Sequence, residues 1–206
     1  MRGLERRVFD PEVCRTELAE LRALLRSRPY LAERQHILPF FKARCNLSML
    51  IGGYVLNIGS ADALTHEYPL CEHFRADLIV GNTAKHDYLL VEFEDAAPDG
   101  LFVKRARSVL EWSPRYEHAF SQVVDWLWTL EDQRSTGDFE SVFGSRRARF
   151  HGLIVVGKDV HLESREMDRL RWRTDKVMVD SQRVSCVTFD ELADDLDFRL
   201  MTYYGK

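Results

Sequence analysis

Two runs in the middle of the chain, FRADLIVGN and YLLVEFEDA, are dense in β-branched and aromatic residues, and GNTAKHD between them supplies the Gly, Asn and Asp of a hairpin loop. Upstream, Asp10 and Pro11 read as the N-cap and first residue of a helix with Leu18, Leu21, Leu24 and Leu25 on one face. A second helix is predicted from around Leu38 to Leu50. Downstream, Ser113 and Pro114 start a helix running from Tyr116 to about Gln133, with Ala119, Val123, Leu127 and Leu130 as its apolar stripe. HGLIVVG then predicts a strand, followed by an Arg-rich helix capped by Ser164. RVSCVTF predicts a last strand and DELADDLDF a last helix capped by Asp190. This order implies an α/β fold of α+β mixed type, a mixed central sheet flanked by helices. No repeat or linker divides it. We expect residues 1–55 to form a helical segment packed on a core domain of residues 56–206.

Polar residues inside the two apolar strands need a reason. Glu92 and Glu94 are two positions apart, so they share a face about 6.5–7 Å apart along the strand. A hairpin register that sets Asp77 opposite Glu92 across a loop of about six residues brings their Cβ atoms within about 5 Å, whereas a slip of one residue turns Asp77 to the other face. Tyr88 and Leu90 share the glutamate face, and Leu89, Val91 and Phe93 pack on the other. Converging carboxylates repel unless a proton or a cation neutralises them, and a hard divalent ion such as Mg²⁺ takes oxygen ligands. Acids on an exposed edge strand are the alternative. On the following helix His118, Gln122, Asp125 and Thr129 form a polar stripe, from which Gln122 would orient a water or a ligand and His118 would do likewise or contact phosphate. A solvated helix face explains the same stripe. Trp126 and Trp128 face different ways, so at least one belongs to the core or to an oligomer contact.

The chain has 206 residues, 45% hydrophobic and 30% charged, enough for one domain with a sizeable core. Its net charge of −4 argues against a uniformly basic nucleic-acid coat. The basic residues nevertheless cluster, at Lys104, Arg105, Arg107 and Arg115, at Arg146, Arg147 and Arg149, and from Arg165 to Lys176, offset by the acidic stretch Asp190 to Asp197. Each patch either meets phosphate locally or is a solvated face. Cys14, Cys45, Cys71 and Cys186 show neither metal-ligand spacing nor a disulfide framework, which suits a reducing cytoplasm. No leader or membrane-spanning run is visible, so no membrane association is expected.

HEYPL, FRADLIVGN, YLLVEFEDAAPDGLF and EHAFSQVVDWLWTL, followed by HGLIVVG and VTFDELADDL and preceded by ELRALLRSRPYL, resemble in order and spacing the Shedu-like nucleases of bacterial anti-phage defence, within the PD-(D/E)XK restriction-endonuclease-like superfamily. The resemblance implies a restriction-endonuclease-like fold, metal-binding acids at Asp77 and Glu92, a site-ordering glutamine at Gln122 and an additional upstream carboxylate at Glu67. It further implies hydrolysis of a DNA phosphodiester of phage or plasmid, with Mg²⁺ or Mn²⁺ as cofactor, and makes a homo-oligomer plausible. One position departs from the superfamily pattern: Glu94 stands where lysine is usual. Glutamate adds a metal ligand or a base but no positive charge, for which Lys104 or Arg105 would have to substitute. Three readings follow. They are a Mg²⁺-dependent DNA endonuclease with Asp77, Glu92 and Glu94 around the metal, a degenerate nuclease fold that binds or senses DNA or protein, and a purely structural strand pair with exposed acids.

Overall fold

A computed structural model describes residues 2–104, 109–179 and 181–205. The chain opens with a short strand β1 (Glu5–Arg6) and helix α1 (Pro11–Ser27), where Asp10 accepts from the amides of Glu12 and Val13 as an N-cap. Its buried face carries Cys14, Leu18, Leu21 and Leu25. The second helical region is not one helix. A π-helical turn, Glu33–Ile37, leads into α2 (Leu38–Lys42), and the chain then breaks before α3 (Cys45–Ile51). The break is at Arg44, whose backbone leaves the helical region while its guanidinium donates to Phe40 O at 3.1 Å and to Glu20 Oε2 at 2.7 Å. An arginine capping the last carbonyls of α2 satisfies them without another turn, and the apolar period running through the break concealed it.

Strands β2 (Ala63–Pro69), β3 (Arg75–Asn82) and β4 (Asp87–Phe93) come next, then a small pair β5 (Phe102–Val103) and β6 (Glu111–Trp112). Helices α4 (Pro114–Gln133) and α5 (Gly137–Phe143) precede β7 (Arg149–Val155), α6 (Ser164–Lys176), β8 (Met178–Val179), β9 (Gln182–Val187) and α7 (Phe189–Tyr204). The expected sequence of elements omits β2 and α5, as well as the two-residue strands β1, β5, β6 and β8. Polar His66 and Glu67 interrupt the alternation of β2, and α5 begins with glycine and is short, held by buried Phe139 and Phe143 one turn apart. Two caps also differ. Thr188, not Asp190, accepts from Glu191 N–H at 3.1 Å, and before α6 the Glu163 N–H donates to Glu166 Oε2 at 3.0 Å, leaving Ser164 as the first helical residue.

The main sheet has seven strands in the order β1-β2-β3-β4-β7-β9-β8, so the fold is the expected mixed α/β sheet flanked by helices. β1 to β4 are antiparallel, β4, β7 and β9 run parallel, and β8 closes the far edge antiparallel. Leu78 pairs with Val91, the register that sets Asp77 against Glu92. Pairing continues to Asn82 and Asp87, leaving a loop of four residues, Thr83 to His86, rather than six. On one face Leu89, Val91 and Phe93 join α1, α2, α3 and α7 in one apolar core. On the other, Tyr88 and Leu90 pack with α4, α5 and α6. Trp126 is fully buried there, whereas Trp128 is 66% exposed. Gly152 allows α4 its close approach, since a Cβ there would stand 2.4 Å from Val123. The N-terminal helices are fastened from below by buried Lys158, whose Nζ donates to the Leu25 and Arg28 carbonyls at 2.5 and 2.7 Å. Among the described residues no helix is long and apolar enough to cross a membrane.

Candidate functional site

Three neighbouring strands each carry one acid in the same row. His66 pairs with Leu78 and Tyr68 with Ala76, so Glu67 stands opposite Asp77, and the β3 to β4 register continues the row to Glu92. The row falls where the sheet loosens. The ladder skips Glu67, which has φ of +47°, a left-handed conformation that costs a non-glycine residue about 1 kcal/mol or more. Asp77 no longer pairs through its backbone; its Oδ2 instead accepts the Phe93 N–H at 2.8 Å. The carboxylate therefore takes over a ladder bond of β4 and is fixed by it.

Glu92 and Glu94 are only 6% and 7% exposed, which excludes the edge-strand reading in which both lie in solvent. They line a cavity of about 800 Å³ together with Asp77, Glu67, Gln122 and His118. Six of the seven residues singled out in the sequence thus meet in one place. The seventh does not: Lys104 is exposed and lines no part of the cavity, and Arg105 falls outside the described residues. The polar stripe of α4 divides. Gln122 is half-buried and His118 exposed at the cavity, whereas Thr129 is buried with its hydroxyl donated to Asp125 O at 2.8 Å, a bond within the helix.

Side chains that sequence reasoning did not select complete the walls. Glu33, Arg34 and Lys42 come from the N-terminal segment, Arg75 from β3 and Arg115 from the first turn of α4. Lys42 Nζ lies 2.6 Å from Glu67 Oε2, and that hydrogen bond holds the Glu67 carboxyl below its ordinary range. Arg115 is paired with Asp95 and has its Nε 3.8 Å from Glu94 Oε2. It brings to the cavity a cation where Lys104 was expected, and its sequence signals were its membership of the basic stretch that starts at Lys104 and its place just after the Ser113 cap. Asp95 also accepts from Tyr30 Oη at 2.9 Å and from the Glu33 N–H at 2.7 Å, tying the π-helical turn to the end of β4.

The electrostatics are strained towards positive charge. Burial raises the carboxyls of Asp77 and Glu92, and for Glu92 the charges of Asp77 and Glu94 add to the effect. The two carboxyls interact directly, so neither ionises independently of the other. Burial, with the charge of Glu33 in addition, pushes Glu94 up to about 8. Glu33 is itself raised by burial. Among the described residues no three Asp, Glu, His or Cys side chains are gathered about one point as they stand. The donor set is nevertheless suited to a hard divalent ion. Asp77 and Glu92 are in contact, all donors are carboxylate oxygens, and Mg²⁺ binds through one or two carboxylates while keeping waters and substrate oxygens.

Residues 30–193 match the family model described as Shedu protein SduA, C-terminal. No curated protein matches the chain.

Proposed function

The chain belongs to the Shedu protein SduA C-terminal family, and from that premise we propose that the acidic cavity is the phosphodiester-hydrolysing site of a DNA endonuclease serving anti-phage defence, on a PD-(D/E)XK-like core. The observation that carries this reading is the row Glu67, Asp77 and Glu92 across three adjacent strands, opening into a cavity faced by Gln122. Asp77 and Glu92 would hold Mg²⁺ or Mn²⁺, with Glu94 beside them. The ion, when bound, lowers the pKa of a water and stabilises charge on a phosphoryl group. The protein's own residues do the rest. Phe93 N–H fixes Asp77, the cavity wall buries Glu92, and Gln122 is placed to orient a water or substrate oxygen through its amide. Arg115, Arg75 and Lys42 give the cavity cationic walls for a DNA backbone, which the net charge of −4 conceals.

Purified protein incubated with supercoiled plasmid and Mg²⁺ or Mn²⁺ is expected to nick or cut it, and Glu92→Gln to reduce the rate by at least about a hundredfold. Cleavage that persists in that variant would overturn the assignment. One observation favours a second reading: Glu94 occupies the position of the superfamily lysine, and Arg115 reaches it only at 3.8 Å while engaged with Asp95. On that reading the cavity binds DNA without cutting it. The expected result is then salt-sensitive binding that a chelator leaves unchanged, with no cleavage in any divalent metal.

A further inference from the structure

The basic stretch from Arg146 to Arg149 has no part in the acidic cavity. Arg146 is held by Glu140, Nε to Oε2, at 2.9 Å. Arg149 instead turns onto the opposite face of the sheet, where it meets Asp87. Asp87 is completely buried; its Oδ2 accepts from Arg149 Nε at 2.9 Å and lies 2.5 Å from Nη2, and its Oδ1 lies 2.7 Å from His151 Nε2. One strand further across, Arg183 occupies the position next to His151, a step before the Gly152 and Val184 pair. The three cationic or ionisable side chains line a cleft of about 630 Å³ whose walls include Tyr54, Leu56 and Met178. Among the described residues no acidic side chain lines it; Asp87 lies beneath, and Asp175 Oδ1 stands 3.6 Å from Arg183 Nη1.

Three features point to a ligand of definite chemistry. The buried carboxylate fixes Arg149 and His151 from below, so much of the ordering cost of an anion site is already met, while Arg149 Nη1 and His151 Nδ1 have no partner among the described residues. Guanidinium forks and a ring nitrogen converging on one cleft match the several oxygens of a phosphate. The rim is apolar and open, with Leu56 85% and Met178 51% exposed, as a planar or apolar ligand body requires.

We propose that this cleft binds a small organic phosphate of mononucleotide type, its phosphate among Arg149, His151 and Arg183 and its ring against Leu56 and Met178. The site is independent of the nuclease reading. It lies on the other face of the sheet, and about 16 Å of strand separates Asp87 from Glu92.

The test is isothermal titration of the whole chain with AMP, inorganic phosphate and pyrophosphate. AMP is expected to bind several-fold more tightly than inorganic phosphate. Arg183→Gln, which leaves the Asp87 network intact, should weaken AMP about tenfold or more without lowering the melting temperature. Glu92→Gln should bind AMP as wild type does, which places the ligand outside the acidic cavity whether or not that cavity cuts DNA. The proposal is overturned if wild type binds none of the three probes at millimolar concentration, if Arg183→Gln binds AMP as tightly as wild type, or if Glu92→Gln abolishes binding.

Discussion

Replacing Glu94 by glutamine isolates the electrostatic cost of the acidic cavity. Its carboxyl is raised from 4.5 to about 8, chiefly by burial, and this net value already includes the opposing pull of Arg115. A group whose folded pKa lies above its unfolded one favours folding only while protonated, so its contribution is present below 4.5 and is lost as pH rises through 8. At about 1.4 kcal/mol per unit the full loss is about 5 kcal/mol. The cavity is open to solvent on one side, which screens the charge and leaves about 2–3 kcal/mol. In EDTA, Glu94→Gln is therefore expected to be about 2–3 kcal/mol more stable than wild type above pH 8, with the difference shrinking towards zero as pH approaches 4.5. Urea denaturation at a series of pH values measures it, urea being uncharged and so not screening the effect. A variant less stable than wild type at high pH, or a difference that does not change with pH, would refute the reasoning.

Glu67 sets a second test of strain: Glu67→Gly should be about 1 kcal/mol more stable than Glu67→Ala, because only glycine relieves the positive φ, while both variants lose cleavage if the acid row is the site. Denaturation curves of the pair measure the first and a plasmid assay the second. His66 titrates in the opposite sense to Glu94. Burial lowers it from 6.5 to about 4, so stability is present above 6.5 and falls as pH drops towards 4; His66→Gln should remove about 1–2 kcal/mol of that acid slope after allowance for screening. Trp126→Ala should cost about 3–5 kcal/mol and Trp128→Ala less than about 0.5 kcal/mol, measured by the same urea curves, since one ring is fully buried and the other 66% exposed.

The hairpin was legible from its two apolar runs and the turn residues between them, but apolar residues on both faces of β4 leave a one-residue slip open; the register formed is the one that sets Asp77 against Glu92. Gln122 was legible from the polar stripe of α4. Glu67 could be suspected as an acid, but not as a member of β2, because its neighbours His66 and Pro69 mask a strand. Its twisted backbone, which removes it from the ladder, leaves no trace in residue type. Lys42, Glu33 and Arg115 could not be chosen over other surface charges. They reach the cavity only because Arg44 breaks the second helical region, Asp95 captures the π-helical turn, and the Ser113 cap aims the first turn of α4. Lys104 was the converse case, a cation close in sequence to the acids that lines no part of their cavity.

Asp95 shows why the N-terminal segment is more than packing. It follows Glu94 directly, and its two oxygens serve Tyr30, the amide of Glu33 and Arg115, while Leu31 and Ala96 form a bridge beside it, 3.1 Å from Leu31 N to Ala96 O and 3.0 Å in return. One half-buried carboxylate thus joins the end of the strand that carries Glu92 and Glu94 to the chain that supplies Glu33, Leu38, Pro39 and Lys42 to the cavity. Without the segment the row Glu67, Asp77 and Glu92 would lie at an open sheet end, in water. With it, the acids are desolvated, Lys42 reaches Glu67, and Arg115 is held within reach of Glu94. The family match begins at residue 30, the tyrosine that donates to Asp95, and so takes in the segment that walls the cavity. The physical unit of the site therefore starts where its wall starts.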